Sequence, residues 1–202
     1  MNNLSYAGGV LFAVGFAPYI LAIFGWDILG RKIERRKPAQ FTWLAWASLN
    51  TVILYALYTN GAINGLIMSQ FVLAWIVAGL SLGYGNNNWT FVDAFCTGFI
   101  AVAYVGYTAA NYYQPEIVHF DTNIVLALAM LCASWSMFLG AWNHPESESM
   151  LAWIIYCAAG ILTLAGMSSW ETKVSAQPVM FLVIATTMVC ILVGRTWKIV
   201  RR

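Results

Sequence analysis

The sequence predicts an all-α, polytopic membrane protein of seven helices, and three observations carry that prediction. The 202 residues are 61% hydrophobic and only 9% charged, with a mean hydropathy of +0.71, whereas a soluble domain holds about a quarter charged residues. Seven mostly apolar stretches approach the roughly 20 residues that cross a hydrocarbon core. The cations fall almost entirely into two clusters, Arg31–Lys37 and Arg195–Arg202, as topology by positive charge requires.

The first stretch is 6–25. Its leader, Met1 to Tyr6, has neither a basic region nor a small-residue cleavage signal, so it reads as a retained helix. Pro18, beside Tyr19, removes a backbone bond and should kink this helix, which makes it a candidate hinge. Gly8, Gly9 and Gly15 permit close helix contact. A basic turn, 26–38, then ends at Pro38. Proline at a helix start gives up no needed N–H, Thr42 can satisfy a free donor, and Trp43 and Trp46 favour the headgroup level. The second span is therefore 42–59.

A tight turn at Thr59-Asn60-Gly61 leads to the third span, 64–83. The fourth, 91–110, opens with Asp93 in its first turn, facing the positive end of the helix dipole, and carries Gly98 as a further contact position. The fifth is 122–142, with Asp121 as its N-cap beside His119 and Asn123. At His144-Pro145 to Trp153 the Pro–Trp junction returns and starts the sixth span, 150–168. The seventh is 175–195, where Pro178 falls at the fourth residue and disturbs little. Cys96, Cys132, Cys157 and Cys190 lie inside apolar segments without C-x-x-C spacing and read as small hydrophobes.

Placing the 26–38 turn in the cytoplasm puts nine of the ten cations inside if the spans number seven, leaving only Lys173 outside. The N-terminus then faces out and the C-terminus in. Anionic lipid is the expected partner of Arg31, Lys32, Arg35, Arg36 and Lys37.

A weak internal repeat accompanies this topology. The offset that carries Pro38 to Pro145 also superposes Leu44 on Leu151, Ala45 on Ala152, Trp46 on Trp153, Leu57 on Leu164, Gln70 on Gln177, Val72 on Val179 and Ala78 on Ala185. It lays helices 2 and 3 on helices 6 and 7 without a gap. A single 1–202 membrane domain is expected: repeat one about 6–83, a linker helix about 91–110, and repeat two about 122–195. One intervening span keeps the two halves parallel, an arrangement some transporters use.

Polar groups within the bilayer are costly and so are functional candidates. Asn50, in the middle third of helix 2, is either helix–helix glue or pore lining. Gln70 and its repeat partner Gln177 suggest a shared vestibule. With Asn123 and Trp75, whose indole face suits a sugar or an organic cation, these make up the expected substrate path. Asp93 and Asp121 are candidate coupling or gate positions.

Further motifs are Pro18-Tyr19-Ile20, Lys37-Pro38, Thr42-Trp43-Leu44-Ala45-Trp46, and Trp142-Asn143-His144-Pro145-Glu146-Ser147-Glu148-Ser149. On these the chain resembles the PQ-loop and SWEET/SemiSWEET superfamily, closest to uncharacterised bacterial seven-span proteins of that type. The resemblance implies two three-helix repeats joined by helix 4, and residence in the bacterial inner membrane. The Pro-Gln pair of PQ-loop proteins is absent from both halves. Ser136, Met137 and Gly140 stand where the family's helix 5 has a Pro-Thr pair and a lysine.

The leading expectation is a small transporter or facilitator of a polar solute, working by alternating access between the halves. The alternative is a non-transporting sensor, receptor or assembly subunit, and a homo-oligomer is compatible with either. Enzymatic chemistry finds no His-Glu-x-x-His pair, no Ser–His dyad within the spans and no acid cluster, so no catalytic residue, metal or cofactor is expected. Helix 7 offers no lysine for a retinal Schiff base. So few surface charges offer nothing to nucleic acid.

Overall fold

In the computed structural model, seven α-helices follow one another: α1 (Asn3–Ile23), α2 (Gln40–Thr59), α3 (Gly65–Tyr84), α4 (Phe91–Tyr113), α5 (Val118–Asn143), α6 (Met150–Ala165) and α7 (Thr172–Val200). The structure describes residues 3–26, 29–32, 34–38, 40–59, 61–86, 91–113, 118–145 and 148–200; within the helices, side chains are not described at 92, 110, 111, 118–124, 172, 173 and 196–200. The chain is an all-α polytopic membrane protein. Helices α1, α2, α3, α5 and α7 are long and apolar enough to span. Helix α6 is apolar but has 16 residues, about 24 Å of helix and shorter than the 150–168 expected. Helix α4 has 23 residues, about 35 Å of helix.

Helix starts are fixed by polar groups at the junctions. Asn64 caps α3, its side chain accepting from Ile67 N at 2.9 Å. Ser149 caps α6, accepting from Ala152 N. Helix α2 begins two residues earlier than expected because Gln40 N finds Asn86 O at 3.2 Å, while Asn86 N bonds Pro38 O at 2.9 Å. Thr42 is therefore inside the first turn of α2 rather than a cap. Helix α5 likewise starts at Val118, so Asp121 sits within its first turn. Pro178 falls in the second turn of α7, fully buried, because that helix starts at Thr172. Gly61 turns the chain between α2 and α3 at φ +62°, the left-handed region open to glycine.

Packing proceeds through small residues. A Cβ on Gly8 would strike Thr163 and Ala159 of α6, one on Gly9 would strike the Gly65 backbone of α3, and one on Gly15 would come within 2.7 Å of the Tyr156 ring. Gly98, expected to do the same, has nothing within 4 Å because its face of α4 looks outward. The broadest helix contacts are α1 with α6, α5 with α7, α1 and α2 with α3, α6 with α7, and α4 with α5; α2 and α5 also meet. Large apolar side chains such as Phe91, Phe95, Val102 and Tyr112 lie exposed around the outside, as a lipid-facing shell requires.

Most hydroxyls inside the spans are satisfied by their own helix. Thr51, Thr97, Thr108, Ser134, Thr163 and Thr187 each donate to the carbonyl four residues back at 2.7–2.9 Å, which neutralises a polar group without a partner helix. Ser69 instead donates to Gly9 O at 2.9 Å, tying α3 to α1.

Candidate functional site

A cavity of about 1010 Å³ enters the bundle from the end that carries the basic turn. Its mouth is formed by Glu34–Pro38 of that turn, His144 and Glu148. Its floor lies at Asn50 and Gln70. Asn50 is ten residues into α2, about 15 Å along the helix, and Gln70 is about 21 Å from the mouth-side end of α3.

The walls are aromatic. Phe12, Phe16, Tyr156 and Phe181 form a connected set with ring centroids 4.8–6.3 Å apart, in the tilted and edge-on geometries that favour such pairs. Nearer the mouth, Trp43 lies 5.2 Å from Tyr19 and 5.7 Å from Phe16, and Trp153 lies 5.2 Å from Tyr156. The polar tips of these rings are engaged: Trp43 Nε1 donates to Tyr19 Oη at 2.9 Å, Tyr156 Oη to Gly15 O at 3.2 Å, and Trp153 Nε1 to Glu148 Oε2 at 3.1 Å.

At the mouth the Arg36 guanidinium lies 5.7 Å from the centre of the Tyr19 ring. Burial pushes the Glu148 carboxyl above its ordinary range, and the Trp153 bond and the charge of Arg36 offset this only in part.

The floor is built by a chain of amides. Ile67 N fixes Asn64 Oδ1 as an acceptor, so Asn64 Nδ2 points onward and donates to Gln177 Oε1 at 3.4 Å. Gln177 Nε2 then donates to Gln70 Oε1 at 2.7 Å. Each bond dictates the orientation of the next amide, and the chain ends on Gln70 Nε2, which is buried without a protein partner. Asn50 Oδ1 is also buried without a partner, in a residue 1% exposed. Both residues line the cavity.

Gln70 and Gln177 are 107 residues apart and touch each other; the internal sequence match picked out two residues that meet. Asn50, Gln70 and Gln177 thus gather around the cavity floor. Trp75 does not. It is 45% exposed, with its indole donating to Thr51 Oγ1 at 3.0 Å on the outside of α2 and α3. Asp93 is buried in the first turn of α4, close enough to Cys96 to act on it electrostatically, and is not among the cavity residues. Pro18 lies inside a continuous α1, between the wall residues Phe16 and Tyr19. The side chains of Asp121 and Asn123 fall outside the described residues.

Phe12, Phe16, Tyr156, Phe181 and Glu148 are not singled out by the sequence as site residues, and Arg36 is singled out there only for anionic lipid. The aromatics carry no sequence mark that separates a cavity wall from a core. Ser136, Met137 and Gly140, noted in the sequence as departures in helix 5, all line the cavity. No family model matches the chain, and neither a curated protein nor a solved structure does.

Proposed function

We propose that the chain is a small transporter or facilitator of a small polar solute, working by alternating access between two three-helix halves. One half is α1–α3, the other α5–α7, and α4 joins them, as in PQ-loop and SWEET-like proteins. The observation that carries this reading is the cavity itself. It runs from the basic end to the middle of the bundle, where the side chains of Asn50 and Gln70 line it. Amides at that depth are costly to place among apolar helices, and a polar solute in the cavity would be in their reach.

The helix contacts support the paired halves. Exchanging α1, α2 and α3 for α5, α6 and α7 turns α1–α3 and α2–α3 into α5–α7 and α6–α7, and turns α1–α6 into α5–α2, all of them contacts of this fold. Val72 and Val179, matched by the sequence offset, are both exposed, at 47% and 40%. In this reading the basic end faces the cytoplasm, Arg31, Lys32, Arg35 and Lys37 lie at the level of anionic headgroups, and the cavity is open inward.

Alternating access is tested by accessibility at Ala74, which lines the cavity. Ala74→Cys is made in a background whose four native cysteines are replaced, and a membrane-impermeant maleimide is added to one face of oriented vesicles at a time. Labelling from both faces is expected. Labelling from one face alone means a blind vestibule and favours the sensor or assembly reading.

A further inference from the structure

We infer that the mouth of the cavity is a site for a small zwitterion of the betaine type, with a carboxylate and a methylated ammonium on one molecule. The inference rests on the transport reading above for what the site serves; the site itself follows from the charges and rings that share the mouth.

Glu34, Arg35, Arg36, Lys37, His144 and Glu148 bring charge to the mouth. Glu34, Arg35, Lys37 and His144 are exposed, where water and salt screen them, whereas Arg36 and Glu148 are half-buried. These two have opposite signs and do not pair with each other. The Arg36 guanidinium lies over the Tyr19 ring and donates to no acceptor among the described residues. The Glu148 carboxyl takes one bond, from Trp153 Nε1. Both groups act electrostatically on Tyr19 and on Tyr156, so the two charges flank one set of rings.

Those rings offer faces more than hydrogen bonds. Trp43 Nε1 is engaged by Tyr19 Oη, Trp153 Nε1 by Glu148, and the Tyr156 hydroxyl by Gly15 O. A ring face attracts a cation without taking an N–H from it, and quaternary ammonium groups are bound in this way. A primary ammonium brings three N–H donors, each of which needs an acceptor.

A neutral solute leaves both Arg36 and Glu148 unanswered. A lone anion meets Arg36 but adds to the negative charge of Glu148, and a lone cation does the converse. A zwitterion gives its carboxylate to Arg36, in the bidentate geometry a guanidinium favours, and its ammonium to Glu148 and the rings. Burial opposes the ionised form of Glu148, and a cation held beside it favours that form again. Arg36 precedes α2 and Glu148 precedes α6. The solute therefore touches both halves, and its binding favours the state in which the two sides of the mouth lie closer.

The test is equilibrium binding to the purified, full-length protein in detergent. Radiolabelled glycine betaine is the probe, with choline (cation alone), acetate (anion alone) and glycine (the unmethylated parent) as competitors. Saturable betaine binding is expected, with each competitor weaker by about tenfold or more. Arg36→Gln and Glu148→Gln should each weaken betaine by about tenfold. They should also move selectivity in opposite directions, Arg36→Gln narrowing the gap to choline and Glu148→Gln the gap to acetate, which a merely structural role would not do. Absence of saturable betaine binding to the unaltered protein overturns the inference. So does equal competition by choline, acetate or glycine, or a selectivity that neither variant moves. The two readings fail separately. Two-faced labelling at Ala74→Cys without betaine binding leaves transport standing and removes the solute class. Betaine binding with one-faced labelling does the reverse.

Discussion

The bond between Gln177 Nε2 and Gln70 Oε1 joins α7 to α3 at 2.7 Å, in side chains 5% and 3% exposed. Replacing Gln177 with Leu removes that donor and also the acceptor of Asn64 Nδ2. An orphaned buried polar atom costs about 1–3 kcal/mol. The long Asn64 bond, at 3.4 Å, belongs at the weak end, so most of the loss comes from Gln70 Oε1. Relief of the glutamine's own burial offsets part of this, and about 2 kcal/mol of destabilisation is the expected net. The pair itself is better isolated by a double-mutant cycle. Interhelical hydrogen bonds in membranes average about 0.6 kcal/mol and reach about 1.7; a short bond between two buried amides should fall in the upper half, near 1.5. The assay is SDS-driven unfolding in mixed micelles for the native protein, Gln70→Leu, Gln177→Leu and the double variant. The double variant should be more stable than the sum of the single losses predicts, by that amount. Additivity within about 0.3–0.5 kcal/mol would refute the claim that the floor is held by this bond.

Two further outcomes follow from the same geometry. Gly9→Ala should cost about 1–3 kcal/mol through the clash with the Gly65 backbone, whereas Gly98→Ala, with open space around it, should gain up to about 1 kcal/mol of helix propensity; the same unfolding assay separates them. Burial raises the Glu148 carboxyl, so the folded protein holds that proton more tightly than the unfolded chain does. The resulting stability is fully present below the ordinary carboxyl value and is lost as pH rises through the raised one. Melting temperatures between about pH 4 and about pH 8 should therefore fall with pH less steeply in Glu148→Gln than in the native protein, and identical slopes would remove Glu148 as a source.

Much of the fold was legible because its causes are local. Apolar runs, Pro38 and Pro145, and the tryptophans after them depend only on where water gives way to hydrocarbon, and each of the seven helices forms over a stretch those marks point to, with ends displaced at α2, α5, α6 and α7. The floor was partly legible for a different reason: an amide in the middle of an apolar helix stands out whatever surrounds it, which is how Asn50, Gln70 and Gln177 were found. Trp75 shows an avoidable miss. At 100° per residue it stands about 140° from Gln70, while Ala74 stands about 40° away on the same side; Ala74 lines the cavity and Trp75 does not. The same geometry puts Trp46 and Trp43, four and seven residues before Asn50, on the cavity side of α2, where both are found. The rest was out of reach. Glu148 acquires its character from burial that only the folded bundle supplies, with Trp153 and the distant Arg36 opposing it in part. Phe12 and Phe181 become a wall only when α1 and α7 meet.

The amide chain makes the chemistry of the cavity depend on a residue outside it. Asn64 is a helix cap that is not among the residues lining the cavity. If Asn64→Asp presents only acceptors, Gln177 gains by turning its nitrogen toward the new carboxylate and its oxygen toward Gln70. Gln70 must then donate to Gln177 and carry its oxygen where its nitrogen now lies, beside the cavity floor. One substitution at a distance would thus exchange a donor for an acceptor at the floor, inverting the sign of what is recognised while leaving every wall residue in place. Unchanged relative affinity for probes that offer only an acceptor or only a donor would show that the amides do not turn together. If they do, specificity here is a matter of inherited direction: the floor carries the polarity handed to it by the start of α3.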